Sequence, residues 1–421
     1  MQWQTRYTMV SLCALATFIC YIDRVNISVA IIPMAEEFGW DQSTRGLILS
    51  SFFLGYLLTQ IAGGWLADRF GGKAVLGFGV VFWSAFTIIT PPAAFAGLTL
   101  LLLSRIGMGL GEAVTFPSIY SLFSRWLPVE ERTRAIGLNA SAIPLGTVFA
   151  LLLTPVIVLA WGWEWVFYLF GAVGIVWYVF WHRLAATEPS DHPHIKADEL
   201  ALLNQSTQHD DAETATSPPK IRAMLGSTAV WAIIVSHFCS NWGGYVLLSW
   251  LPTYFTEGLG VDFAAVGIAT MLPSLAAFIF LNVAGWTTDK MIAGKRFSLT
   301  FIRKLMQVIG FGGFALVLAV VGYVESIPLA IGLMTVGNAI GAFAMGGWGS
   351  NHMDIAPRHA GTLMGLTNTA GTLPGIIGVF ISGLILEWTG SWILVFQVAA
   401  AINVFGLVFY LIFARTDPEF Q

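Results

Sequence analysis

The sequence predicts an all-α membrane protein with twelve transmembrane helices in two pseudo-symmetric six-helix bundles. Three observations carry that expectation: a long series of apolar runs, one polar interruption near the middle, and motifs that recur in both halves. Of 421 residues, 56% are hydrophobic and only 10% are charged, with a mean hydropathy of +0.75. Soluble domains carry about 25% charged residues, so this surface faces lipid. The 44 glycines and 17 tryptophans fit the same setting, since Gly is frequent in membrane helices and Trp gathers at the headgroups. A net charge of -4 says little about partners, because the pattern of charge matters here and the sum does not; no nucleic-acid partner is expected. Cys13, Cys20 and Cys239 all lie in apolar text, which implies no disulfide framework. The first apolar run has no A-x-A site after it and reads as a first span, not a signal peptide.

A span needs ~20 mostly apolar residues. On that rule helices are expected near 8–32, 44–67, 74–93, 97–122, 135–160 and 163–183 in the first half. The second half gives 228–257, 263–288, 300–322, 327–350, 360–386 and 391–414. Between them, 184–227 is rich in Ser, Thr, Pro and acids, cannot bury a core, and reads as a linker with at most a short surface helix. The expected division is therefore 1–183, a cytoplasmic linker 184–227, and 228–421. Lys and Arg set the orientation. Arg6, Arg69, Lys73, Arg125, Arg132, Lys220, Lys290, Arg303, Arg358 and Arg415 fall on one side, while Arg45 stands alone on the other. Both termini are expected in the cytoplasm.

The halves read as copies. Gly64-Trp65-Leu66-Ala67-Asp68-Arg69 ends the second helix, and Gly285-Trp286-Thr287-Thr288-Asp289-Lys290 ends the eighth. RAIGLNASAIPLG is matched by TLMGLTNTAGTLPG, and Trp163-x-x-Val166-Phe167 by Trp392-x-x-Val395-Phe396. Parallel repeats of this kind build transporters with a binding site near the bilayer midplane, between the halves.

Four ionisable side chains interrupt the apolar text: Asp23 and Arg24 in the first helix, Arg105 and Glu112 in the fourth. A charge at mid-bilayer costs at least ~2.5–3.5 kcal/mol on insertion scales, so such groups mark pathways for ions and substrates. Seven residues separate Arg105 from Glu112. They therefore share a helix face, ~10 Å apart along the axis. The two arginines are expected at similar depth, ~12 Å below the outer edge. A guanidinium stays charged and grips a carboxylate with a planar fork, which suits an anion site. Burial favours a neutral acid and a nearby arginine favours its ion, and those opposed effects let a carboxyl switch near working pH. Blander readings stay open: Arg105 and Glu112 as a structural ion pair, and Asp23 as an anchor for Arg24.

GGWLADRFGGK, with Gly64, Asp68, Arg69, Gly71 and Lys73, resembles the loop motif of the major facilitator superfamily. YIDRVNISVA, SRIGMGLGEAVTFPSIYSLFSRWLPVEERTRA, WEWVFYLFGAVGIVWYVFW and NHMDIAPRHAG resemble its anion:cation symporter branch. That branch holds bacterial sugar-acid importers, sialin, vesicular glutamate carriers and related phosphate carriers. The resemblance implies the major facilitator fold and transport of an anion. It also implies Asp23 and Glu112 as proton-coupling acids, and Arg24 and Arg105 as substrate-binding arginines. Asp68, Arg69, Asp289 and Lys290 become a conformational latch. One departure is Ser240-Asn241, where the glutamate carriers have arginine in the seventh helix. It leaves the sugar-acid and sialin-like readings ahead.

Polar neighbours complete the candidate substrate site. Tyr56 and Gln60 lie i, i+4 on the second helix; Asn241 and Tyr245, again i, i+4, are expected to break the seventh beside Gly243-Gly244. Trp348, Ser350, Asn368 and Thr372 interrupt the tenth and eleventh. A hydroxylated anion needs such donors and acceptors, although intramembrane Asn and Tyr often bond another helix. Tyr56, Trp348 and Asn368 are the preferred contacts. His237 reads as a packed helix residue more than as a proton relay, and Gly107, Gly109 and Gly111 as a close-packing strip.

The resulting expectation is a proton-coupled symporter that imports a sugar acid or similar carboxylate by alternating access. The alternative is a sodium-coupled phosphate or anion carrier, or an exchanger, of the same fold. No nucleophile with a base at usable spacing, metal cluster or nucleotide loop suggests an enzyme. No cofactor, metal or catalytic residue is expected. The expected partners are a small organic anion, protons and the lipid bilayer, with a monomer in a bacterial inner membrane.

Overall fold

The structure is a computed structural model that describes residues 4–203, 221–357 and 359–420, so part of the expected linker and Arg358 lie outside the described residues. The side chains of Ile61, Asp68, Val129, Glu130 and Thr133 also stand outside that set. Among the described residues the chain is helical, without strands. In lipid a helix satisfies its backbone groups within its own segment, and that constraint selects this architecture.

The first six helical paths are α1 (Thr5–Phe38), α2 (Gln42–Phe70), α3 (Gly72–Ala96), α4 (Leu98–Glu112, resuming at Thr115–Trp126), α5 (Val129–Trp161) and α6 (Glu164–Leu184). The next six begin with α7 (Thr228–Thr253) and α8 (Phe263–Ala293). Then come α9 (Leu299–Gln307, resuming at Gly313–Val321) and α10 (Ile327–Gly341, resuming at Ser350–Ile355). The last two are α11 (Ala360–Thr389) and α12 (Trp392–Phe413). Ten of these paths are long and apolar enough to cross a membrane. The other two, α2 and α7, carry polar residues at mid-length: Gln60 in one, His237, Ser240 and Asn241 in the other.

Helices run past the predicted edges because nothing in the flanking text stops them. α1 continues through Glu36 and Glu37 until Gly39, whose φ of 65° ends it. α4 corrects the expectation of one unbroken helix, since it loosens at Ala113-Val114, directly after Glu112. α7 stays continuous through Asn241 and Tyr245 and ends in a wide π turn, Tyr254–Gly258. Two more π turns, Val308–Gly312 and Met345–Gly349, divide α9 and α10. Such turns are rare and concentrate at functional sites.

The chain forms two compact units, residues 1–27 with 51–217 and residues 28–50 with 218–421. In the first, α3 packs on α4 and α6; in the second, α9 repeats that pattern against α10 and α12. The glycine strip of α4 packs closely, as expected: a Cβ on Gly109 would sit 2.1 Å from Phe52 O, and one on Gly55 2.0 Å from Ile106 O. Small residues let membrane helices approach in this way. In the second unit, the turn between α1 and α2 is stitched to the helices after the linker. Arg45 pairs with Glu257, and Gln42 donates to Glu257 and Glu387. Asp41 caps α2 by accepting from Thr44 N at 2.8 Å and from Ser43 Oγ at 3.0 Å. Those hydrogen bonds to its ionised form hold its carboxyl below the usual range.

The expected linker is no loose tether over its first twenty residues. The Trp126 indole is buried and donates to Ala186 O and Thr187 O, while Arg125 pairs with Glu188. Residues 197–203 are helical, and Glu199 accepts from the backbone N–H groups of Thr5 and Arg6 at 3.1 and 3.0 Å. A carboxylate there caps the first turn of α1 and complements its dipole. Arg6 then ties Glu199 to Glu131, at 2.8 Å, at the start of α5.

Candidate functional site: buried ions in one unit, neutral polar groups in the other

Asp23, Arg24, Arg105 and Glu112 converge inside the first unit, and all four are buried. The pairing is not the one that spacing alone suggests. Glu112 turns away from Arg105 on its own helix and binds Arg24 of α1: Arg24 Nε and Nη2 both donate to Glu112 Oε2, at 3.0 and 2.8 Å. The Cys20 thiol donates to the same oxygen at 3.1 Å. Three donors thus crowd one oxygen, while Glu112 Oε1 has no partner among the described residues. Asp23 does not anchor Arg24 either. Its Oδ2 takes the indole N–H of Trp83 at 3.1 Å, and its Oδ1 has no partner.

Aromatic rings hold the guanidinium of Arg24 in place. Its Cζ lies 4.7 Å from the ring centre of Tyr21, 4.9 Å from that of Phe52 and 4.8 Å from that of Tyr56. Arg105 Cζ lies 5.8 Å from the same Phe52 ring, so both arginines meet one aromatic side chain, as equal depth requires. The two differ in company. Arg105 is 1% exposed, finds no carboxylate within 4 Å among the described residues, and contacts only the Met108 thioether at 2.9 Å. Its Nε has no partner. A buried guanidinium without a counter-ion costs several kcal/mol, which makes Arg105 the unbalanced charge of this cluster.

The second unit assembles a neutral cluster. Trp348 lies in the Met345–Gly349 π turn, and its ring packs 4.4 Å from His237 and 5.9 Å from His352. Thr367 Oγ1 sits 3.2 Å from His237 Nδ1 and 2.9 Å from His352 Nε2. Gln307 Oε1 accepts from Trp348 N at 3.2 Å, while the Trp348 indole N–H is buried without a partner. Asn241 Nδ2 donates to Gly371 O at 2.7 Å, so this residue bonds a neighbouring helix. Thr372 is buried and bonds Asn368 O on its own helix, and Ser350 bonds Met345 O. Asn368 and Tyr245 are half-buried, as is Gln60 in the first unit.

The four residues expected to form a latch lie at helix ends. Arg69 is exposed over Trp65 and Phe70, Lys290 rests 4.6 Å from the Trp286 ring, and Asp289 is exposed; the Asp68 side chain lies outside the described residues. Sequence reasoning missed Cys20, Tyr21, Phe52, Trp83, Gln307, His352 and Thr367. Gln307, His352 and Thr367 did carry a signal, since each interrupts apolar helical text.

The Major Facilitator Superfamily profile matches residues 13–379. The chain is 46% identical to "Probable anion transporter 4, chloroplastic" of Oryza sativa subsp. japonica, over 100% of this chain and 70% of that protein. It is 43% identical to "Ascorbate transporter, chloroplastic" of Arabidopsis thaliana, over 99% and 76%. It is 42% identical to "Sodium-dependent phosphate transport protein 1, chloroplastic" of the same plant, over 99% and 80%. Among solved structures, a bacterial homologue of the human lysosomal transporter Spinster, inward-facing and occupied, superposes with a TM-score of 0.78 at 18% identity, covering 99% of this chain and 98% of that one. The twelve-helix fold, the internal repeat and these matches agree: the chain is a multi-pass membrane transporter, not an enzyme, and belongs to the Major Facilitator Superfamily.

Proposed function

We propose that this transporter is a proton-coupled symporter importing an organic anion, a sugar acid or similar carboxylate, by alternating access. The observation that carries the reading is Arg105, a buried cation whose only polar contact among the described residues is a thioether, beside an arginine whose fork converges on one carboxylate oxygen. A substrate carboxylate supplies what Arg105 lacks. Protonation of Glu112 releases Arg24 to join it, and Asp23, held only by Trp83 on one oxygen, is the second acid able to take a proton. A cavity with both charges compensated can close, whereas a half-loaded one leaves a buried charge that raises the barrier. Trp348, Asn368 and Tyr56 are the residues we assign to substrate, with Gln60, Asn241, Tyr245, Ser350 and Thr372 as supporting polar groups. Asp68, Arg69, Asp289 and Lys290 form the latch.

The relatives named for ascorbate and for sodium-dependent phosphate transport match almost equally well, 43% and 42% identical, so a sodium-coupled phosphate carrier is the rival reading. We place the basic face and both termini in the cytoplasm and the protein in a bacterial inner membrane; the plant relatives make a plastid membrane the competing location. Purified protein in liposomes tests the function. Uptake of labelled ascorbate, gluconate and phosphate is followed under a proton gradient or a sodium gradient. Accumulation of a carboxylate driven by protons alone is expected; sodium-driven phosphate uptake overturns the proposal. Glu112→Gln is expected to abolish proton-driven uptake while sparing counterflow exchange, and equal loss of both removes its coupling role.

A further inference from the structure

The second unit contains a hydrogen-bonded chain of two histidines and a hydroxyl that the carboxylate chemistry does not use. His352 Nδ1 lies 3.0 Å from Gly349 O, a carbonyl that can only accept, so Nδ1 carries the proton and Nε2 of the neutral ring must accept. The group 2.9 Å from that Nε2 is Thr367 Oγ1, which therefore donates to it. Thr367 Oγ1 in turn accepts from His237 Nδ1–H at 3.2 Å. His237 Nε2 remains as a bare acceptor that makes no hydrogen bond among the described residues. Gly371 packs against this ring without a side chain, since a Cβ there would lie 2.6 Å from His237 Cδ2 and 2.9 Å from Nε2.

A second arrangement of the same atoms is equally complete. Thr367 Oγ1 also lies 3.2 Å from Met364 O. With a proton on both His352 nitrogens, Nδ1–H donates to Gly349 O and Nε2–H to Thr367 Oγ1. The threonine hydroxyl then swings to Met364 O. The protons of His352 and Thr367 have a partner in either arrangement, and only one hydroxyl turns. The Trp348 ring touches both imidazoles and offers a π face to a cationic one. The charged groups on the surrounding helices already cancel: Arg303 binds Asp354 at 2.7 and 2.9 Å. Cys239 on α7 and Tyr410 on α12 are the other titratable neighbours, and Asp289 and Lys290 lie exposed at the end of α8.

We propose that His237, Thr367 and His352 form a proton relay within the second unit. A proton binds His237 Nε2. The Nδ1–H bond of that ring breaks as its proton passes to Thr367 Oγ1, and the original hydroxyl proton passes to His352 Nε2. His237 ends neutral with its proton on Nε2, Thr367 remains a hydroxyl, and His352 ends as an imidazolium. One proton has moved from one ring to the other without a charge crossing apolar space unaccompanied. The relay makes no use of Asp23 or Glu112 and stands or falls separately from them.

The test is a protonation measurement that needs no substrate. Full-length protein carrying ¹⁵N-histidine is placed in lipid nanodiscs, and the ring nitrogens are followed by NMR from about pH 9 to about pH 4, a span covering the ordinary histidine value of ~6.5. His237→Gln and His352→Gln assign the signals. At high pH each ring is expected to hold one proton, on Nδ1 in both; on acidification His352 gains a second on Nε2 and the His237 proton shifts from Nδ1 to Nε2. Thr367→Ser is expected to behave like the parent, and Thr367→Val to leave His352 singly protonated throughout. The relay is overturned if neither ring of the parent changes, or if a Thr367→Val protein with parental melting behaviour titrates as the parent does. If the valine variant fails to fold, the parent and Thr367→Ser titrations alone decide.

Discussion

The two units solve the same problem with different chemistry. Each must keep polar groups in a helical interior that lipid surrounds. The first does so with ions: two acids and two arginines, with Glu112 and Arg24 joined and Arg105 left without an acid. The second gathers groups that are neutral at rest, His237, His352, Thr367, Asn241 and Gln307, and its buried arginines, Arg303 and Arg45, are each paired with an acid, Asp354 and Glu257. Ions give strong, long-ranged recognition of a charged substrate, at a high cost when unpaired. Neutral donors and acceptors recognise hydroxyl groups at lower cost and impose geometry more than strength.

Several substitutions break or sharpen that contrast. The largest effect is expected at Arg105. Replacing it with alanine removes charge-assisted bonds worth about 3 kcal/mol and should cut uptake about 100-fold. Arg105→Lys keeps the charge but loses the fork and should recover only part of that loss; a lysine variant equal to the parent breaks the argument for a bidentate anion grip. Next is the packing under the ionic cluster. Gly109→Val drives a side chain into Phe52 O and should lower the melting temperature through an overpacking cost of about 1–3 kcal/mol. An unchanged melting curve shows that α2 and α4 separate more easily than the structure implies. In the second unit Asn241→Ala removes one neutral hydrogen bond to Gly371 O, and a loss of about 1 kcal/mol in stability is expected in thermal unfolding. Its loss of uptake should also be several-fold smaller than that of Arg105→Ala, and an equal loss of uptake erases the contrast.

The smallest expected effect lies outside the membrane. Arg6 beside Glu131 holds its carboxyl below the usual range, so the ionised form is favoured in the fold. A depressed value means the contribution is fully present above the ordinary glutamate value of ~4.3 and disappears as pH falls through the lowered one. Glu131→Gln should therefore lower the melting temperature slightly at neutral pH, with the gap to the parent closing in acid. A gap that widens in acid reverses the sign and removes the Arg6–Glu131 tie as its source.

Much of the fold can be read from the sequence because bilayer thickness sets span length and each span is written in contiguous text. The repeat is visible for the same reason, since Asp68 and Asp289 stand 221 residues apart and Trp163 and Trp392 229, one register but for a short insertion. The four buried ions stand out because charge is rare in such text. What spacing cannot give is rotation about each helix axis. Helices that are apolar nearly all round carry little periodic signal for orientation. Arg105 and Glu112 share a face in one dimension, yet Glu112 bonds Arg24, 88 residues away in the chain. Trp83 on Asp23 and Thr367 between two histidines are contacts of the same kind, set by how neighbouring helices turn. The docking of Glu199 on the start of α1 was hidden for another reason: its surroundings look too polar to pack, and what they cover is a helix end and not a core.

The π turn at Met345–Gly349 holds one surplus residue over an ordinary helical winding. Deleting Gly347 would let the segment rewind as α-helix and swing Trp348 and His352 by roughly 100° relative to what precedes them. Both rings would leave His237 and Thr367 together. Length at that spot is therefore as constrained as side-chain identity, and a single-codon deletion there should do what no point substitution can: disperse the aromatic–imidazole group while keeping every one of its members.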